Sequence, residues 1–182
     1  MNKKLILKIS LYFTVIVSIA IWSLLLYDYY NDGVPKHHLF ARKELPEISN
    51  WWGAISIPLA TYLLLHRIKK RFNSENSISM KTLMKVLYSF ISALLYAAML
   101  SVLFSFGNSQ ITGIFFQLIL LIALFFPIYK SEYCLGFIIG LTYTFGGILP
   151  IIICSILAII SYLLHTLSQY IILKVKNKFN IF

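Results

Sequence analysis

Four of the chain's six acidic residues and two of its four histidines fall within residues 28–53, DYYNDGVPKHHLFARKELPEISNWWG. Asp28 and Asp32 stand four apart, on one helical face if the preceding helix runs past Tyr27. His37 and His38 follow the turn at Gly33–Pro35. Carboxylates with imidazoles suit a divalent transition metal. The spacing argues against one shared ion, because adjacent side chains diverge in helix and strand alike. No H-x-x-x-H, H-E-x-x-H or D-x-D pattern occurs.

Arg42 offers a planar fork to a carboxylate or phosphate, and Glu44 stands beside it. On a lipid-linked substrate, His37 or His38 would serve as acid or base and Arg42 would hold the anion. The plainer reading is ion pairing and capping. Asp28, Asp32, Glu44 and Glu47 nearly balance Lys36, Arg42 and Lys43. Asp32-Gly33 with Pro35 is a turn, Lys36 to Leu45 has room for one or two helical turns, and Ser49 or Asn50 can cap the next helix.

A second constellation is expected at the opposite end of the molecule: His66, Glu132 and His165. His165 lies about 21 Å into the last apolar segment at roughly 1.5 Å per residue. Ionisable groups inside a span are functional candidates because burying them is costly. The plainer role for His165 is an interfacial ring bonded to a carbonyl or a tyrosine.

What must position these residues is set by composition. The 182-residue chain is 59% hydrophobic and 12% charged, with mean hydropathy +0.82. A soluble domain is about 45–50% apolar and about 25% charged. This chain has too little polar surface to cover itself in water, so lipid is its main solvent. The net charge of +10 sits between apolar runs, as topogenic signals do, and no basic stripe accompanies a soluble module. Nucleic acid is therefore not expected as a partner.

A helical span needs about 20 apolar residues. Leu5 to Tyr27 is the first, too long for a signal-peptide core. Trp51 to His66 is a short second, with Pro58 inside it and the run His66-Arg67-Ile68-Lys69-Lys70-Arg71 ending it. Met80 to Lys85 reads as a surface lead-in to a third span, Val86 to Phe106. Ser89, Ser92, Ala93, Ala97 and Ser101 give that span a small-residue stripe suited to close packing. Ile111 to Tyr129 is the fourth. Tyr133 to Leu149, with the G-x-x-x-G pair Gly136 and Gly140, is the fifth, and Ile151 to Leu173 the sixth.

Thirteen basic residues fall at Lys3, Lys4 and Lys8, from Arg67 to Lys85, at Lys130, and from Lys174 to Lys178; three, Lys36, Arg42 and Lys43, fall on the other side. The positive-inside rule then puts both termini in the cytoplasm and residues 28–50 outside. Five spans would require a re-entrant dip at Gly146–Pro150. Cys134 and Cys154, outside any C-x-x-C, are expected as free thiols near opposite faces. No internal repeat, G-x-S-x-G, P-loop or mid-bilayer carboxylate relay is present.

The expectation is an all-α polytopic membrane helix bundle of six transmembrane helices, one integral domain spanning residues 1–182, in a bacterial-type inner membrane. Its partners are the lipid bilayer and a small ligand or protein at the external loop. The function expected is non-catalytic, permease-like or partner-binding. The rivals are a membrane enzyme acting on a lipid-linked substrate and a metal-handling protein.

Overall fold

Six α helices dominate the computed structural model, which describes residues 3–31, 33–38, 47–73 and 79–179. They are α1 (Lys3–Tyr30), α2 (Gly53–Asn73), α3 (Met80–Ser105), α4 (Ser109–Phe125), α5 (Ser131–Phe145) and α6 (Ile148–Phe179). Segments within α1, α3 and α6 are long and apolar enough to cross a bilayer: Leu5–Tyr30, Met80–Ser105 and Ile148–Lys176. A helical membrane protein is the class these elements define. At about 1.5 Å per residue, α4 with 17 residues and α5 with 15 fall short of full bilayer thickness.

The short helix α5 is the centre of the bundle. Leu135, Phe137, Ile138 and Leu141 are buried on it, and α2, α3 and α6 pack around it. Its closest neighbour is α3, and glycine explains why. A methyl group on Gly136 would strike the carbonyl oxygen of Phe90, and one on Gly140 would meet the Ala97 methyl and the Leu94 carbonyl. Without side chains there, the two backbones approach until Ser101 Oγ donates to the Gly140 carbonyl at 3.1 Å. Ser89, Ala97 and Ser101 of the small-residue stripe are buried at this seam.

The helix ends sort into two groups. At one end, Ile6 of α1 packs on Ile68 and Phe72 of α2, and Arg71 reaches Glu132 at the start of α5. We call this the basic end. At the other, the rings of Phe104 of α3 and Phe145 of α5 pack at a tilt with centres 4.6 Å apart, and Gly53 of α2 abuts Gly147. Between α1 and α2 at that end lies a two-stranded antiparallel pair, β1 (Lys36–His38) with β2 (Glu47–Ser49). We call this the hairpin end.

Several sequence expectations change. Lys36–His38 is extended and paired with Glu47–Ser49, not helical. Helix α2 runs on through the basic stretch Arg67–Arg71 to Asn73, an extent the span reading left open. Met80–Lys85 is continuous with α3. Gly146 (φ 72°) and Gly147 form a tight turn from α5 into α6, and Pro150 sits in the first turn of α6, where its missing N–H costs little.

Cys134 and Cys154 are buried free thiols, but they are neighbours rather than residents of opposite faces. The sulfur of Cys154 lies 3.8 Å from the Cys134 carbonyl.

Candidate functional site

The hairpin end carries a polar, partly open cavity of ≈ 270 Å³. Its position follows from three local features. Helix α1 runs past Tyr27 to Tyr30 and so carries Asp28 on its last turn. The strand pair is closed at its base by Asn50 N–H donating to the Pro35 carbonyl at 3.1 Å. The Ser49 hydroxyl accepts from Trp51 N–H at 3.4 Å, so the capping role expected near Ser49 is met, on the short 3₁₀ turn Asn50–Trp52 ahead of α2.

Asp28, Asn50, Thr142 and Thr144 supply the polar wall, with Tyr27, Pro35 and the Gly146–Gly147 turn. Asn50 lies so close beneath Gly146 that a side chain at 146 would collide with its amide. Thr142 spends its hydroxyl on the Ile138 carbonyl at 2.7 Å. Asp28 is half-buried. A carboxylate, an amide and a threonine hydroxyl around so small a volume suit a small ligand that donates hydrogen bonds. The flanking aromatics Tyr29 and Trp51, 6.2 Å apart, are of the kind that sit at a membrane interface.

Of the loop residues singled out from sequence, Asp28 lines this cavity. His37 pairs in register with Ile48, and His38 with Glu47. Asp32, Arg42 and Glu44 lie outside the described residues. Asn50, Thr142 and Thr144 were not read as site residues. Both threonines fall inside the expected fifth span, Tyr133 to Leu149. The helix ends at Phe145, which puts them in its last turn. The Gly146-Gly147 pair was the signal for that ending.

At the basic end the three expected partners do not form one cluster. Glu132 pairs with Arg71, Nη2 donating to Oε1 at 3.0 Å. His66 is exposed beside Tyr62, 6.2 Å between ring centres. His165 packs against Tyr129 at 6.0 Å, and its buried Nδ1 has no hydrogen-bond partner among the described residues. Among the described residues no three His, Cys, Asp or Glu side chains converge as a metal site.

No protein-family model, curated protein or solved structure matches this chain.

Proposed function

We propose that this chain is a non-catalytic polytopic membrane protein of a bacterial-type inner membrane, a single integral domain that binds a small polar ligand or a partner at its hairpin end. The observation that carries this reading is the cavity walled by Asp28, Asn50, Thr142 and Thr144 at the base of the strand pair. It lies at the foot of the segment richest in ionisable groups. Pro35 and Asn50, which line it, flank the strand pair.

Six passes are supported by the alternation of helix ends between the hairpin and basic ends. The short helix α5 fits this scheme because its neighbours enclose it and it needs little contact with lipid. The concentration of lysine and arginine at the basic end supports cytoplasmic termini and an external hairpin. Cysteines placed at residues 38 and 178 should then label from opposite compartments.

The test of binding uses full-length protein purified in mild detergent. Asp28→Asn and Thr144→Val are compared with alanine at His37, His38, Arg42 and Glu44. Mass spectrometry of released small molecules should show a species lost with Asp28→Asn while protein yield is kept. Metal lost with His37→Ala would favour metal handling instead. An altered cellular lipid profile at normal protein level would favour an enzyme on lipid-linked substrate. Unchanged bound species across Asp28→Asn and Thr144→Val would sink the cavity reading.

A further inference from the structure

We propose that the basic end holds one aminophospholipid, its primary ammonium on Glu132 and its phosphate among Lys81, Lys85 and Lys130. The starting point is an unsatisfied atom. The Glu132 side chain is 4% exposed, and Arg71 occupies only its Oε1. Among the described residues, Oε2 is buried with no hydrogen-bond partner. A carboxylate oxygen left without a donor in a dry site is costly, and the described residues supply none.

The space beside Glu132 says what that donor belongs to. An open groove of ≈ 650 Å³ runs between α3 and the α4–α5 connection. Its charged wall is Lys81 and Lys85, one turn apart on α3, and Lys130, which precedes α5. The α5 N-terminus has no side-chain cap, so its positive end faces the same region. The remaining wall is largely apolar, with Met84, Phe126 and Pro127. Three cations, one buried anion and an apolar flank complement a zwitterionic headgroup carrying acyl chains.

The pairing of signs selects among lipids. A purely anionic headgroup would suit the lysines but bring negative charge to Glu132 and leave Oε2 without a donor. A choline headgroup has the positive charge but no N–H to give. A primary ammonium has three. This site lies at the opposite end from the ligand cavity and does not depend on it.

The experiment is native mass spectrometry of the full chain in micelles doped equally with phosphatidylethanolamine, phosphatidylcholine and phosphatidylglycerol. Phosphatidylethanolamine should be retained at least about tenfold over phosphatidylcholine, a difference of about 1.4 kcal/mol. Glu132→Gln should abolish that preference. Because this change also breaks the Arg71 pair, a second variant leaves the pair intact: Lys81→Gln with Lys85→Gln, which should lower retention several-fold while the folded fraction stays constant. Free phosphoethanolamine should not displace the bound lipid. Displacement would show that the headgroup alone is recognised and would overturn the lipid assignment. Equal retention of phosphatidylethanolamine and phosphatidylcholine, or a preference for phosphatidylglycerol, would overturn the headgroup assignment.

Discussion

The indole nitrogen of Trp22 donates to the backbone carbonyl of Ala54 at 3.1 Å. Ala54 lies four residues before Pro58, and Pro58 lies inside α2. Proline has no N–H, so it cannot complete the helical bond to that carbonyl. A side chain from the neighbouring helix supplies the missing donor and ties α1 to α2. Trp22→Phe should therefore destabilise the fold by about 0.5–1.5 kcal/mol, the range for hydrogen bonds between membrane helices. In a Pro58→Ala background the residue 58 N–H can serve Ala54 itself, and the cost of Trp22→Phe should shrink towards zero. A double-mutant cycle read by unfolding in mixed micelles checks this. Additive effects of the two changes would refute the relationship.

The seam between α3 and α5 makes a sharper demand. Gly136 faces the Phe90 carbonyl, the Leu94 nitrogen and the Ala93 methyl, so two of the three obstacles are backbone. Backbone cannot rotate out of the way. Gly136→Ala should destabilise by about 1–3 kcal/mol through overpacking. Gly113→Ala is the control: nothing lies within 4 Å of a Cβ at this position in α4. There the substitution should be neutral or stabilising by up to about 1 kcal/mol, since alanine loses less conformational freedom in a helix. Thermal stability of the two variants in the same detergent separates the cases.

The glycine pair and the small-residue stripe were legible in sequence because their signal is local: spacing along one helix specifies one face. Pro58 was legible inside the second span, and a proline within a helix frees a carbonyl. That Trp22 would fill it was not legible, since the donor lies 32 residues away. The strand pair escaped for a related reason. Three-residue strands carry no periodicity, and the register of Lys36–His38 on Glu47–Ser49 is set by the base of the hairpin. Asp28 was identified, but Asn50 and Thr144 join it only through the meeting of three chain segments. Glu132 was identified with the wrong partner. His66 and Arg71 are five residues apart on α2, about 140° around a helix of about 3.6 residues per turn. When Arg71 faces α5, His66 faces elsewhere, and sequence does not specify that rotation.

The two thiols offer a test of the core. Cys134 and Cys154 are both buried, at 8% and 6% exposure. The thiolate is the reactive species, and burial keeps both sulfurs largely out of reach of water and reagent. A water-soluble maleimide should leave both unmodified in the folded protein and label both after denaturation. Cys154→Ser should keep the contact to the Cys134 carbonyl, because a hydroxyl donates where the thiol did, and the folded yield should be close to the original. Rapid labelling of either cysteine in intact protein would contradict this packing of α5 on α6.

Arg71 and Glu132 join two helix ends of opposite polarity. Arg71 is in the last turn of α2 and Glu132 in the first turn of α5, so each charge also complements its own helix dipole. The burial is lopsided, with 37% of the arginine side chain exposed against 4% of the glutamate. Removing the arginine should therefore do more harm than removing the glutamate. Arg71→Ala strands a buried carboxylate, at a cost near the low end of about 3–5 kcal/mol given the partial exposure of the pair. Glu132→Leu with Arg71→Met removes both charges and fills the space with apolar atoms, and should restore most of that loss. The ordering Arg71→Ala least stable, the double variant intermediate and the native chain most stable, read by unfolding in detergent, is the expected outcome. A double variant less stable than Arg71→Ala would show that the pair itself, and not the relief of a stranded charge, holds α2 against α5.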